Sequence, residues 1–401
     1  MKLAALAGLL AALAISATAQ AQIAKDTIKI GVLADMSSLY ADLGGPGSTE
    51  AAKMAVADFG GTIAGKKVEV VSADHQNKPD VGAAIARQWF DQDGVDMITD
   101  LTTSSVALAV QEVARAKNKV ILINGAASSD LTGKACAATS VHWMYDTVAL
   151  ANGTGAAVVK AGGDSWFFIT ADYAFGHALE RDTAEVVKAN GGKVLGSVKV
   201  PLNNADFSSF LLQAQASKAK IIGLANAGGD TVNSIKQAAE FGIVAGGQKL
   251  AGLLVFATDI HSLGLKTAQG LQLTEGFYWD QDDQTRAWSK KFSDKMKKEP
   301  TMVQAGVYSA VTHYLNAVKT TNSIDAETVV KQLKSAPIND FAIRNGKIQE
   351  DGSLIHDMYL FEVKKPEESK GEWDLYKTIS TIPGAQAFKR PKGNECPLVK
   401  G

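Results

Sequence analysis

The sequence predicts an α/β protein with two lobes, each built around a parallel β-sheet. Its 401 residues are enough for two domains, since domains have roughly 100–200 residues each. From residue 28 onward, apolar runs typical of buried strands alternate with runs of helical spacing, and the alternation restarts near residue 148. Strands that alternate with helices form right-handed βαβ units, and such units build parallel sheets.

The first half of the chain supplies the elements of one sheet. Its first helix is predicted to begin after Pro46 and to end at Gly60-Gly61, because proline favours the first turn of a helix and glycine favours its end. Strands are predicted at 28–35, 68–74, 95–100 and 119–126, and helices at 48–59, 79–90 and 104–118.

The second half repeats this pattern and then changes. Strands are predicted at 166–171, 193–200, 221–225 and 250–257, and helices at 148–161, 176–190, 207–218, 231–241, 282–298, 303–319 and 326–335. A hairpin is predicted over 341–363 with Asn345-Gly346 as its turn, and a surface tail from residue 378. We therefore assign 26–145 and 281–340 to the first lobe, 146–280 and 341–380 to the second, and 381–401 to a C-terminal tail.

Residues 1–21 have the pattern of a secretory signal peptide. Lys2 precedes an apolar stretch, and Ala19-Gln20-Ala21 forms a small-residue cleavage site, with Ala17-Thr18-Ala19 as an alternative. A membrane anchor is the competing interpretation, but the apolar run is short of the about 20 residues that span a bilayer. We expect cleavage near Ala21 and a periplasmic protein that is not inserted in the membrane.

The charge and the cysteines exclude several classes of function. A formal net charge of −1 gives no electrostatic case for binding nucleic acid. Cys136 and Cys396 are predicted to form a disulfide, because an even cysteine count in an exported chain favours pairing; two independent thiols are the alternative. The six histidines have no short metal-ligand spacing, so neither a metal nor a cofactor is predicted. We expect a monomer.

Enzyme motifs are scarce in this sequence. It contains neither the G-x-S-x-G motif of hydrolases nor a phosphate-binding G-x-x-x-x-G-K-[ST] loop. The glycine-rich segment Gly44-Gly45-Pro46-Gly47 lacks the lysine of such a loop, and Pro46 removes one amide. The sequence therefore favours a binding protein over an enzyme.

The carboxyl ends of the predicted strands hold the candidate site, because open parallel sheets bind ligands there. Thr102, Thr103 and Ser104 lead into a helix, whose free N–H groups combine with the hydroxyls into a neutral site for a carboxylate. Ser104 could instead be only the N-cap of that helix. The candidate ligand-binding residues are Leu39, Tyr40, Thr102, Thr103, Ser104, Ala126, Ala127, Ser128, Asp172, Tyr173, Phe175, Asn226, Ala227, Gly228, Phe256, Thr258 and Tyr278.

Three segments carry a family resemblance: Ile28-Lys29-Ile30-Gly31-Val32, Ser37-Ser38-Leu39-Tyr40-Ala41-Asp42 and Ala51-Ala52-Lys53-Met54-Ala55-Val56-Ala57-Asp58. With them, nearly all of the chain after the signal peptide resembles the branched-chain amino acid type of periplasmic binding protein, the type I solute receptors of ABC importers. The resemblance implies two Rossmann-like lobes that are joined by three hinge crossovers and close on a solute. It also implies permease subunits as partners, and hinges near Tyr145, Asp280 and 339–358.

The resemblance also assigns roles to the candidate residues. The hydroxyl cluster 102–104 matches the carboxylate site of the family, which 126–128 completes. Leu39 and Tyr40 match the loop after the first strand, Tyr173 and Phe175 the aromatic lid, and 226–228 the loop after a later strand.

One departure from the family bears on the ligand. Where the family's amino acid binders place a glutamate on the α-ammonium, this chain has Phe256-Ala257-Thr258-Asp259, so either Asp259 replaces the glutamate or no acid is present. Because a buried ammonium without a counter-charge is costly, an aromatic or 2-oxo carboxylate is favoured. An amino acid or amide, a sensing role and a hydrolase on the same scaffold are the alternatives.

Overall fold

The computed structural model describes residues 23–391, 393 and 395–399. The predicted signal peptide lies outside the described residues. Within these ranges, none of the helices combines the length and the apolar character needed to cross a bilayer.

The first lobe is centred on a six-stranded sheet. Its elements are β1 (Thr27–Ala34), α1 (Gly45–Phe59), β2 (Thr62–Ile63), β3 (Lys66–Asp74), α2 (Pro79–Gln88), β4 (Met97–Asp100), α3 (Ser104–Lys117), β5 (Val120–Ile123) and β6 (Ser140–His142). The strand order is β2-β3-β1-β4-β5-β6, and only the short β2 runs antiparallel to its neighbour. β4 and β5 are buried along their whole length, as expected for parallel strands covered on both faces. Gly60 ends α1 in the left-handed conformation (φ 100°), as predicted.

The second lobe contains a four-stranded parallel sheet. Its elements are α4 (Thr147–Leu150), α5 (Ala156–Lys160), β7 (Ser165–Ala171), α6 (Ala174–Ala189), β8 (Lys193–Val200), α7 (Ser208–Ala216), β9 (Ile221–Ala225), α8 (Gly229–Glu240), β10 (Lys249–Gly252), α9 (Ala257–Leu263) and α10 (Leu265–Ala268). A π-helical turn joins α4 to α5. The strand order is β10-β9-β7-β8. The two-lobe α/β fold with parallel sheets is therefore confirmed.

The remaining elements complete both lobes. They are β11 (Gln272–Glu275), α11 (Asp283–Met296), α12 (Met302–Thr321), α13 (Ala326–Ser335), β12 (Lys347–Ile348), β13 (Leu354–Ile355), β14 (Met358–Val363), β15 (Tyr376–Ile382) and α14 (Gly384–Ala387). α12 packs on α1 in the first lobe. β11, β14 and β15 form a third, antiparallel sheet beside the second lobe. The chain thus crosses between the lobes three times, after β6, after β11 and after β13.

Two predicted elements are wrong in part. The predicted strand 250–257 stops at Gly252, because the Asp259 carboxylate accepts a hydrogen bond from the N–H of Phe256 (3.0 Å) and starts α9. The predicted hairpin over 341–363 does not turn at Asn345-Gly346. Instead, two backbone hydrogen bonds between Ile338 and Gly346 close a separate loop, and the short hairpin is β12–β13.

The end of the chain also differs from the prediction. Ser353 forms a bridge with His142 of β6, so the segment around β12 and β13 packs on the first lobe, although 341–380 was assigned to the second. β15 extends into the predicted tail, and α14 follows it. The predicted disulfide between Cys136 and Cys396 is confirmed, with Cα atoms 5.6 Å apart. It ties the end of the chain to the first lobe.

Candidate functional site

Loops from both lobes meet at one cavity. The contributing loops follow the carboxyl ends of β1, β4, β5, β6, β7, β9 and β10, which is where open parallel sheets bind ligands. The lining residues are Tyr40, Leu43, Thr102, Ser104, Gly125, Ala127, Tyr145, Tyr173, Phe175, Ala227 and Leu254. Among the described residues, those that line this cavity include no Lys, Arg, His, Asp or Glu. The cavity lining is therefore neutral and combines four aromatic rings with aliphatic and hydroxyl side chains.

The two lobes are closed on each other at this cavity. The cavity volume is about 10 Å³. This is enough space for about one water molecule. The hydroxyls of Tyr40 and Tyr173, from opposite lobes, are 2.8 Å apart. A Cβ at Gly228, whose φ is +57°, would lie 2.7 Å from the carbonyl oxygen of Leu39. A larger solute therefore requires the lobes to separate.

Ser104 is the hydrogen-bonding centre of the first-lobe wall. It is the first residue of α3, and its Oγ accepts hydrogen bonds from the N–H groups of Ala127 (3.3 Å) and Ser128 (3.1 Å). Within the described part of the chain, its hydroxyl donates to no other atom, so its hydrogen remains for an acceptor in the cavity. The first N–H groups of α3 also lack partners inside the helix and carry its positive dipole end.

Thr103 behaves differently from Ser104, although the two are adjacent. Thr103 occupies the N-cap position of α3, so the alternative that Ser104 is only the N-cap is wrong. The Thr103 hydroxyl donates to the Oδ1 of Asn77 and does not line the cavity. Of the predicted cluster, Thr102 and Ser104 line the cavity.

Asp35 organises the loop that carries Tyr40. Its buried carboxylate accepts hydrogen bonds from the N–H groups of Ser38 (2.9 Å) and Tyr40 (2.8 Å) and from Nδ2 of Asn77 (2.7 Å). Burial acts to raise the pKa of Asp35, but these hydrogen bonds outweigh it, and the pKa lies below its usual value. Through Asn77 the same network reaches Thr103 at the start of α3. One carboxylate thereby connects two first-lobe parts of the cavity wall, the loop after β1 and the start of α3.

Replacing Asp35 with asparagine is expected to weaken solute binding by about tenfold and to lower the unfolding free energy by about 1–3 kcal/mol. The new amide leaves donors of the loop without acceptors and shifts Tyr40. Calorimetric titration and urea unfolding measure the two effects. Asp74→Asn is the control, because Asp74 accepts from Ser37 Oγ (2.7 Å) at the exposed side of the same loop. Equal solute affinities of Asp35→Asn and wild-type protein would contradict the role of Asp35 in positioning the Tyr40 loop.

Most of the other predicted residues of the first lobe lie next to the cavity lining and not in it. Ala127 lines the cavity, whereas the carbonyl of Ala126 accepts from His142 Nε2 (2.7 Å). Ser128 contributes its N–H to Ser104, while its Oγ accepts from the N–H of Asp130 (3.3 Å). Leu39 contacts the second lobe next to Gly228. Of these residues, only Ala127 lies on the cavity surface.

Several predicted second-lobe residues lie away from the cavity surface. Asn226 accepts from Thr231 Oγ1 (2.7 Å) inside the lobe, and exposed Asp172 pairs with His177 (2.8 Å). Phe256 packs edge-on behind Tyr145. Thr258 follows it in α9 and is also absent from the lining. The Tyr278 hydroxyl donates to the carbonyl of Trp373 (2.8 Å).

Tyr40, Tyr173, Phe175 and Ala227 do line the cavity, as predicted.

Four lining residues were not among the predicted site residues: Leu43, Gly125, Tyr145 and Leu254. Gly125 lies just after β5, next to the predicted site residues Ala126, Ala127 and Ser128. A Cβ at Gly125 would lie 2.5 Å from Asp100 Oδ1. Tyr145 was predicted as a hinge residue, and its hydroxyl donates to the carbonyl of Gly125 (2.7 Å). Leu254 lay within a segment predicted as strand.

Two acids of the second lobe near the cavity, Asp259 and Asp230, are hydrogen-bonded within the protein. The capping bond places Asp259 behind the wall, and burial raises its pKa to about 7. Asp230 accepts from the N–H groups of Asn203 and Asn204 (both 3.0 Å), and burial raises its pKa to about 6. Asp259 therefore does not take the place of the family's ammonium-binding glutamate on the cavity surface. Across the described ranges, no three His, Cys, Asp or Glu side chains group as metal ligands.

A neutral cavity between two closing α/β lobes defines a solute receptor, and comparisons with known proteins agree. Residues 27–372 match the periplasmic binding protein family. A periplasmic binding protein from Burkholderia mallei is 57% identical, with a TM-score of 0.92 over 94% of this chain and 100% of that one. A branched chain amino acid ABC transporter periplasmic ligand-binding protein from Burkholderia xenovorans LB400 is 40% identical, with a TM-score of 0.83 over 92% and 99%.

A third solved structure shares the fold at lower identity. It is a solute-binding protein of an ABC transporter from Rhodopseudomonas palustris in complex with benzoate, 19% identical, with a TM-score of 0.82 over 93% of this chain and 100% of that one. The chain described here belongs to the periplasmic binding protein family. It is the solute-binding component of an ABC transporter, and the family acts in the periplasm.

Proposed function

We propose that this protein binds a small carboxylate, an aromatic or 2-oxo acid, between its two lobes and presents it to the permease subunits of its transporter. The observation that carries the proposal is the position of Ser104. Its hydroxyl faces the cavity with both acceptor sites used by N–H groups, so it offers a donor. The start of α3 adds N–H groups and a positive dipole end. Together these groups suit an anion without a cationic side chain.

The body of the solute is expected to be apolar or aromatic. Leu43, Phe175 and Leu254 supply apolar surface, and three tyrosines are also part of the lining. An α-ammonium needs a nearby counter-charge when it is buried. Among the described residues, none of those that line the cavity carries a carboxylate that could supply one. The palustris solute-binding protein, which shares this fold, is in complex with benzoate.

Binding is expected to act through closure of the lobes. One lobe holds the acid group, and the other covers the rest of the solute, so the solute binds a form closed around it, with the lobes farther apart than in the empty cavity described above, more tightly than the open form. Tyr40 and Tyr173 already meet across the cleft. We further propose that the chain is exported, cleaved near Ala21 and active as a monomer.

A thermal-shift screen of the protein lacking residues 1–21 tests the proposed ligand class. Aromatic and 2-oxo carboxylates are expected to raise the melting temperature, since a ligand at 100 times its Kd adds about 2.7 kcal/mol of apparent stability. Leucine, isoleucine and valine serve as the comparison set. They are the second candidate class because the xenovorans relative is a branched chain amino acid transporter component. Stabilisation by these amino acids alone would contradict the ligand class and leave the solute-binding role intact.

A further inference from the structure

The Tyr40–Tyr173 pair differs from the other polar groups of the cavity. Thr102 Oγ1 accepts from the N–H of Asp35 (3.2 Å) and donates to Asp100 Oδ1 (3.4 Å). The Tyr145 hydroxyl donates within the first lobe, and Ser104 accepts there. The two phenols instead bond only each other among the described residues, and they come from opposite lobes.

A bonded pair of phenols has unused hydrogen-bonding capacity. Only one of the two O–H groups can donate into the bond between them, so the other keeps a hydrogen without an acceptor, and both oxygens keep lone pairs. Tyr40 is almost completely buried and Tyr173 is half-buried, so whichever phenol keeps the spare hydrogen has restricted access to water as an acceptor. Burial also raises the pKa of both phenols, so both stay protonated.

Both phenols are held firmly at the cleft. The N–H of Tyr40 donates to buried Asp35 (2.8 Å), and its ring lies 3.0 Å from where a Cβ of Gly228 would be. Tyr173 immediately precedes α6, and its ring packs against Phe175, with centroids 5.8 Å apart. The hydroxyl positions are thus fixed by contacts that do not depend on the bond between them.

We propose that this pair recognises a hydroxyl group on the solute, so that the preferred ligand is a ring-hydroxylated aromatic acid. When the lobes close on it, the hydroxyl inserts between the phenols, accepts from one and donates to the other. The carboxylate occupies the Ser104 end of the same cavity. This inference rests on the proposed function. It adds a polar contact to both lobes at once, which favours the closed form.

The test compares benzoate, 3-hydroxybenzoate and 4-hydroxybenzoate by calorimetric titration of the protein lacking residues 1–21. At least one hydroxybenzoate is expected to bind wild-type protein about tenfold more tightly than benzoate does. In Tyr40→Phe and in Tyr173→Phe, this ratio of affinities is expected to fall below about threefold. Either variant also removes the Tyr40–Tyr173 bond between the lobes, which affects the binding of all three acids. The ratio of the dissociation constants of benzoate and a hydroxybenzoate in the same variant therefore reports only on the hydroxyl group of the ligand. Tyr308→Phe is the matched control, since Tyr308 donates to Asp58 (2.8 Å) on the surface.

The outcomes separate this inference from the proposed function. Equal binding of all three acids, or a preference that survives in both phenylalanine variants, would overturn the role of the tyrosine pair and leave the carboxylate site standing. No binding of any of the three acids would overturn the role of the tyrosine pair and the aromatic-acid part of the proposed function, whereas binding of a 2-oxo acid in the thermal-shift screen would then leave the carboxylate site standing.

Discussion

Replacing Ser104 with alanine is expected to raise the Kd of a bound carboxylate by roughly 10–100-fold, because a hydrogen bond to a charged group contributes about 1.5–3 kcal/mol. The substitution removes the only donor that we assign to the acid group from a side chain. It also leaves the N–H groups of Ala127 and Ser128 without their shared acceptor. Calorimetric titration with the strongest acid from the thermal-shift screen measures the effect.

Two neighbouring substitutions control for changes in α3 itself. Ser105→Ala alters the next residue of the helix, outside the cavity lining, and is expected to change the Kd by less than about threefold. Thr103→Val removes a hydroxyl that donates to Asn77, so any effect on binding is indirect and smaller than that of Ser104→Ala. Affinity of the Ser104 variant within about threefold of wild type would remove the basis for the carboxylate site.

Loss of the disulfide is expected to give the largest change in stability. Cys136 and Cys396 are separated by 260 residues, and cross-links that close long loops restrict the unfolded chain most, with typical contributions of about 2–5 kcal/mol. The variant with both cysteines changed to serine should therefore unfold at lower urea concentration. The end of the chain also loses its covalent tie to the first lobe, although Arg390 still donates to Thr132 Oγ1 (2.7 Å).

Reduced wild-type protein is the matched control, because it lacks the bond without any change of residue. It should have the same urea midpoint as the double variant, and both should lie below the oxidised protein. Binding should survive in folded protein, because neither cysteine lines the cavity. Equal unfolding free energies of the oxidised and reduced proteins would show that the bond does not stabilise the fold.

Most of the fold could be predicted because buried parallel strands are continuous apolar runs. β5 (Val120–Ile123) is of this kind, and the flanking helix α3 shows helical spacing. The antiparallel sheet was harder to predict, since β11 has four residues and most of β15 is exposed and polar. The Asn345-Gly346 pair was misleading because a turn signal does not reveal which segments pair across it. That pairing depends on contacts distant in sequence, such as Ser353 with His142.

The location of the site could be predicted from the order of strands and helices. The side chains that line it could be predicted only in part. The rule that ligands bind beyond strand ends located Tyr40, Ser104, Ala127, Tyr173 and Ala227. It does not fix side-chain direction, which is why Thr103 and Ser104 were treated alike. Tyr145 was missed because the short strand β6 before it was not predicted, so the residue was assigned only to a hinge. Side-chain direction is set by partners such as Asn77 for Thr103.

A crystal structure of the protein with the strongest carboxylate from the screen tests the central claim most directly. We expect one carboxylate oxygen within about 3 Å of Ser104 Oγ, close to the first N–H groups of α3, with the lobes closed over the solute. A solute bound outside the cleft, or one whose acid group pairs with a lysine or arginine elsewhere, would contradict the account.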